Sequence, residues 1–155
     1  MQSLSVKAGE LLECAMDSVK QVMPVPVAIG APGECNKTLL ESGLCVLIGF
    51  TGDLAGRLLI DGDVRTFGKL GETMFGMTLE GEMLFSFAGE VANMLAGGMS
   101  VIMASKGGKM DITPPTVMEG EMKLFGFHRG AIIPATLEGV GGMNLVLLFQ
   151  EEKAV

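Results

Sequence analysis

Within residues 80–105, EGEMLFSFAGEVANMLAGGMSVIMAS, a carboxylate at Glu90 and an amide at Asn93 stand three residues apart. On a helix that spacing makes neighbours of the two side chains, with Cβ atoms about 5–6 Å apart. The carboxylate can accept hydrogen bonds or meet a cation. The amide carries both donor and acceptor and cannot act as a base. Around them, Ser86, Gly89, Gly97, Ser100 and Ala104 fall on the same stripe and present almost no side chain. A solvated helix face usually carries Lys, Arg and several Glu, and few glycines, because each glycine costs about 1 kcal/mol against alanine. The stripe therefore either lets another backbone or protein approach two presented groups, or lets this helix cross a neighbour tightly inside the chain.

The element that must position these groups is one long helix. Its apolar residues Met83, Leu84, Phe87, Val91, Met94, Leu95, Met99, Val101 and Ile102 fall on a wide arc at about 100° per residue, and that arc is expected to be buried. The helix is apolar enough to raise the question of a membrane span, but Glu90, Asn93 and its glycines speak against one.

Ser86, Glu90 four positions on and Asn93 three further resemble the signature of the CheC, CheX and FliY phosphatases of bacterial chemotaxis. That family sets a proline some twenty-two residues beyond the asparagine; Pro114 and Pro115 arrive one or two residues early. The run Glu90-Val-Ala-Asn-Met-Leu-Ala-Gly97 also resembles the family's helix in its apolar and glycine positions. The resemblance implies hydrolysis of the aspartyl phosphate on a CheY-like response-regulator receiver. Asn93 would enter the receiver's site and place a water, Glu90 would contact the receiver's active-site lysine, and Ser86 would sit at the near edge. Gly89 and Gly97 would leave room for receiver loops, with close internal packing as the other reading. It also implies that Mg²⁺ comes from the receiver, that no cofactor is held by this chain, and that the protein is a cytoplasmic homodimer.

The remaining sequence sets the frame. One hundred and fifty-five residues suit a single domain, 1–155, that buries about two thirds of its unfolded surface. An apolar fraction of 48% and a mean hydropathy of +0.47 indicate a compact globule. A net charge of −7 argues against nucleic acid or an anionic membrane as partner. It gives no help toward an acidic receiver either, so recognition there must be local. Cys14, Cys35 and Cys45 are widely spaced, with neither a CxxC pair nor a histidine set, as expected of inert thiols in a reducing compartment. The mixed charges of residues 2–13 do not form a signal peptide. His128 has no nucleophile or carboxylate arrangement around it.

An amphipathic helix is expected over about residues 3–23, with the tail at 151–155 frayed. A short strand over 25–29 and a loop over 30–42 follow. Residues 44–51 and 54–61 read as a hairpin in which Gly56 marks a bulge or a close approach. A weaker helix over 63–76 is closed by Gly76. After the long helix come a strand over 109–113 that Pro114 and Pro115 end, an ill-defined stretch over 116–129, and a hairpin of 131–138 with 143–150. The order of elements repeats, and Ala8-Gly9-Glu10 aligns with Ala88-Gly89-Glu90 at an offset of 80, setting Glu13 opposite Asn93. The expected fold is α+β, with duplicated helix-plus-three-strand repeats, about 3–61 and 81–150, building an antiparallel sheet with helices packed on it. Glu13 would repel a phosphoryl group where Asn93 tolerates it, leaving one working site. Two other classes stand beside the phosphatase: a non-catalytic receiver-binding module related to the middle domain of the flagellar switch protein FliM, and a hydrolase of small acyl phosphates.

Overall fold

The structure, a computed structural model, describes residues 6–35, 38–40 and 42–150. The expected helix start at 3–5 and the expected frayed tail lie outside those residues. In chain order the elements are α1 (Val6–Val22), β1 (Val27–Ile29), β2 (Gly33–Cys35), β3 (Thr38–Leu40), β4 (Leu44–Gly52), β5 (Gly56–Gly62), α2 (Val64–Phe75), α3 (Glu82–Ser105), β6 (Met110–Ile112), β7 (Thr116–Glu119), β8 (Met122–Leu124), β9 (Arg129–Leu137) and β10 (Gly141–Phe149).

The main sheet is antiparallel with strand order β1-β9-β10-β5-β4-β6; β2 adds to β9 and β7 adds to β4, while β3 and β8 form a separate ribbon. Exchanging each strand of the first half with its equivalent in the second reverses this order without altering it. The axis of that exchange runs between the central pair β5 and β10, where Leu59 faces Val146.

Period-two alternation along the strands divides the core between the two faces of the sheet. Leu44, Val46, Ile48 and Phe50 of β4, Leu58 and Ile60 of β5, Ile133 of β9, and Leu145, Leu147 and Phe149 of β10 face the helices. Cys45, Leu59, Val146 and Leu148 face the other way, where Leu40 and the partly buried Met122, Leu124 and Phe127 cover them. Each large aliphatic residue so buried contributes about 1.5–3 kcal/mol. Gly56 makes a close approach: a Cβ there would meet the Leu148 carbonyl oxygen and lie 2.8 Å from the Phe50 ring.

The chain departs from the expected three strands per repeat, since five follow α1 and five follow α3 among the described residues. The additional strands lie in the expected loop over 30–42 and in the ill-defined stretch over 116–129. Each is only three or four residues long, so it exists through pairing with β9, with β4 or with its opposite number rather than through its own propensity.

Cys14 and Cys45 are buried and free, and burial raises both thiols; Cys45 is pushed up to about 12, with the Asp61 charge adding to burial. Neither presents a thiolate. Cys35 lies in β2, and its side chain is outside the described part of the structure.

Candidate active site

Three separate contacts fix α3. It runs antiparallel to α1: Glu13 pairs with Lys106 at 3.8 Å, while further along α1 the buried Ser18 hydroxyl donates to the Leu95 carbonyl at 2.7 Å. Gly98 makes that crossing possible, because a Cβ there would strike Ser18 Oγ. Further along, the Ser100 hydroxyl donates to the Met110 carbonyl of β6 at 2.6 Å. On the flank nearest Glu90, Pro115 and Val117 lie over Gly89, 3.6 Å and 3.3 Å from where its Cβ would be. Leu84, Phe87, Ala88, Val91, Ala92, Leu95, Ala96, Met99 and Met103 are buried beneath. A helix held on three sides cannot roll, so the side chains on its free side are pre-positioned.

On that free side stand Ser86 and Glu90, both exposed, with Asn93 half-buried beside them. Among the described residues, no protein group hydrogen-bonds or ion-pairs with any of the three side chains. Gly97 is half-exposed, and a Cβ there would meet nothing within 4 Å, so the surface just past Asn93 is open.

Gly89 is different. It is buried under Pro115 and Val117 and serves close internal packing, so it is not part of the open stripe. Pro114 and Pro115 do separate β6 from β7, as expected, and Pro115 additionally forms the lid on Gly89. Ser100 likewise leaves the presented set because its hydroxyl is spent on β6. The buried arc is narrower than periodicity indicates: Met83, Met94 and Val101 are exposed. Periodicity reports which residues share a side of the helix, whereas where burial stops depends on how far α1, α2 and β6–β7 wrap around it.

A neighbouring feature escaped the sequence reading. Helix α2 begins with Asp63, whose carboxylate caps Thr66 N–H at 2.6 Å, and ends at Gly76, left-handed with φ 71° as its expected closing role requires. The chain then turns back into α3 and leaves a groove of about 660 Å³ between the two helices. Phe75, Met77, Leu79, Met83 and Phe87 line it, and Ser86 and Glu90 form its rim. The run Met74-Phe75-Gly76-Met77, apolar across a helix end, was the available signal.

Among the described residues, no group of three or more His, Cys, Asp or Glu side chains is placed to hold a metal ion. His128 is exposed, and its backbone N–H donates to the Phe149 carbonyl at 2.8 Å, at the start of β9. Helix α3 is long and apolar enough to cross a membrane, yet half of its most apolar window is buried against the rest of the chain, as in a core helix.

A family model described as chemotaxis phosphatase CheX matches residues 44–124, just over half of the chain, including Ser86, Glu90 and Asn93. The CheY-P phosphatase CheX of Thermotoga maritima is 29% identical over 122 residues, spanning 75% of this chain and 79% of that protein. A CheC-like superfamily protein from Shewanella sp. PV-4 superposes with a TM-score of 0.78 at 21% identity, covering 96% of this chain and all of the other. The structure of a CheX–CheY–BeF₃–Mg²⁺ complex from Borrelia burgdorferi matches with a TM-score of 0.73 at 24% identity, covering 93% and 97%.

Proposed function

This chain belongs to the CheX family of chemotaxis phosphatases, and we propose that it hydrolyses the aspartyl phosphate of a CheY-like receiver by holding a water in line with the phosphorus. The observation that carries this reading is the pairing of an unengaged carboxylate and an unengaged amide on the free side of a helix pinned by α1, β6 and β7. An acyl phosphate is already labile, so a catalyst needs chiefly to position the nucleophile and support the charge as it spreads. Water oxygen bonds to phosphorus as the bond from phosphorus to the aspartyl oxygen breaks. The electron pair of that bond restores the carboxylate, and the water proton passes to the departing phosphate. The Asn93 amide accepts from the water with its oxygen and supports the phosphoryl oxygens with its N–H groups, without taking the proton.

Glu90 supplies the docking charge, meeting the lysine of the receiver's site, while Ser86 and Gly97 border the contact. Gly89 contributes by letting Pro115 close on the helix rather than by touching the partner. The Mg²⁺ is the receiver's, a reading supported by the Borrelia complex, which contains CheY and Mg²⁺ together. The palindromic sheet order and the matching of α1 with α3 support reading residues 1–155 as one domain of two degenerate copies. By family likeness the protein works as a homodimer in the cytoplasm.

The test follows the decay of a phosphorylated receiver from the same organism with wild type and with Asn93→Ala. Wild type should speed decay, and the variant should lose at least about 100-fold of that effect, the scale of removing one positioned polar group from a transition state. Its circular dichroism and melting should stay unchanged. Normal turnover by the variant would remove the water-positioning role, and binding without hydrolysis by wild type would make the protein a receiver-binding module.

A further inference from the structure

We propose that the groove between α2 and α3 is a second receiver contact, taking an apolar side chain that the receiver carries next to a lysine or arginine; the inference rests on the receiver being the partner of Glu90 and Asn93.

Phe75, Met77 and Met83 are 60%, 52% and 58% exposed, an apolar cluster left open to water by the described residues. It is not a loose fringe. The Phe75 ring packs edge-on against the buried Phe87 ring, with centroids 5.7 Å apart and planes at 78°, so the wall of the groove is held in place before any partner arrives. The methionines give the opposite quality, side chains that adapt to the shape they meet. Rigid aromatic wall and adaptable methionine rim together suit an inserted side chain.

Position and charge identify the occupant. Ser86 and Glu90 line the groove, and Glu90 stands three residues from Asn93, so a protein docked against both Glu90 and Asn93 lies at the edge of the groove. Among the described residues the lining contains Glu82 and Glu90 and no Lys, Arg or His, which favours a basic residue beside the inserted apolar one. The net charge of −7 opposes long-range attraction to an acidic partner, so contact area and local charge have to supply the affinity. The groove provides both, with Glu82 and Met83 about two helix turns from Glu90 along α3.

The decisive comparison is between wild type, the double variant Phe75→Ala/Met83→Ala, the conservative variant Met83→Leu, and Asn93→Ala. Receiver binding is measured directly by calorimetry, separately from the kcat and KM of dephosphorylation. The double variant should bind at least about 10-fold more weakly and raise KM by a similar factor, with kcat within about 2-fold of wild type, because it removes binding that is equal in ground and transition states. Met83→Leu should retain affinity, and Asn93→Ala should show the reverse pattern, a fall in kcat at nearly constant affinity. Unchanged affinity in a folded double variant would overturn the proposal, as would failure of wild type to bind the receiver. A lower oligomeric mass of the double variant by itself in sedimentation would also overturn it, assigning the groove to a second copy of this chain. Groove-dependent binding without hydrolysis would uphold the groove and defeat the phosphatase reading.

Discussion

Helices α1 and α3 occupy equivalent places on either side of the sheet's central strand pair, yet of the matched positions 10 and 13 on α1 and 90 and 93 on α3, only those on α3 carry unengaged polar groups among the described residues. Their buried faces agree at an offset of 80: Ala8 with Ala88, Leu11 with Val91, Leu12 with Ala92, Ala15 with Leu95 and Val19 with Met99. Their outer faces do not. On α1, Glu10 lies 3.8 Å from Lys7, which also reaches Asp53 at 3.4 Å, and Glu13 is paired with Lys106. On α3, Glu90 and Asn93 face outward with no protein partner among the described residues. Helix α2 adds a second difference, since it precedes α3 and creates the groove beside Glu90. The core sets the residue types on the buried faces of both helices, while the outer faces carry no such constraint.

Making α3 resemble α1 should break the comparison most severely. Asn93→Glu places a carboxylate where the proposed mechanism brings the phosphoryl group and should lower turnover of a phosphorylated receiver by at least about 100-fold, or about 3 kcal/mol, in a decay assay. Retained turnover would mean that the residue type at 93 does not separate the copies.

Adjacent glycines of α3 sharpen the contrast between its seated and free sides. Gly98→Leu drives a side chain into Ser18 and should cost about 1–3 kcal/mol, read as a lower melting temperature. Gly97→Leu enters open space, should gain up to about 1 kcal/mol of helix stability, and should slow dephosphorylation by obstructing the receiver. Equal effects on stability would contradict the assignment of the two sides.

The smallest effect is expected from the reciprocal exchange. Glu13→Asn in an Asn93→Ala background restores the residue type on α1 but neither the groove nor a free carboxylate, so activity should not return. Losing the exposed pair with Lys106 should change stability by no more than about 1 kcal/mol. Recovered hydrolysis would show that one amide is sufficient to make α1 a working copy.

The sequence by itself determined the long helix, both principal hairpins, the closing glycine of α2, and the neighbouring placement of Glu90 and Asn93. These follow from local rules: helical spacing, strand alternation and turn chemistry act over a few residues. It also carried the chemistry of the pair, because an amide and a carboxylate have fixed hydrogen-bonding abilities wherever they stand. Only the tertiary structure decided which side of α3 is free. Gly89 and Gly97 are the same residue type on one stripe, yet Pro115 and Val117 cover the first, and among the described residues nothing lies within 4 Å of a Cβ at the second. Met83, Met94 and Val101 read as core and are exposed because α1, α2 and the β6–β7 segment do not reach around to them. The short strands β2, β3, β7 and β8 and the groove behind Glu90 arise from contacts between segments far apart in the chain, for which no window of neighbouring residues holds the information.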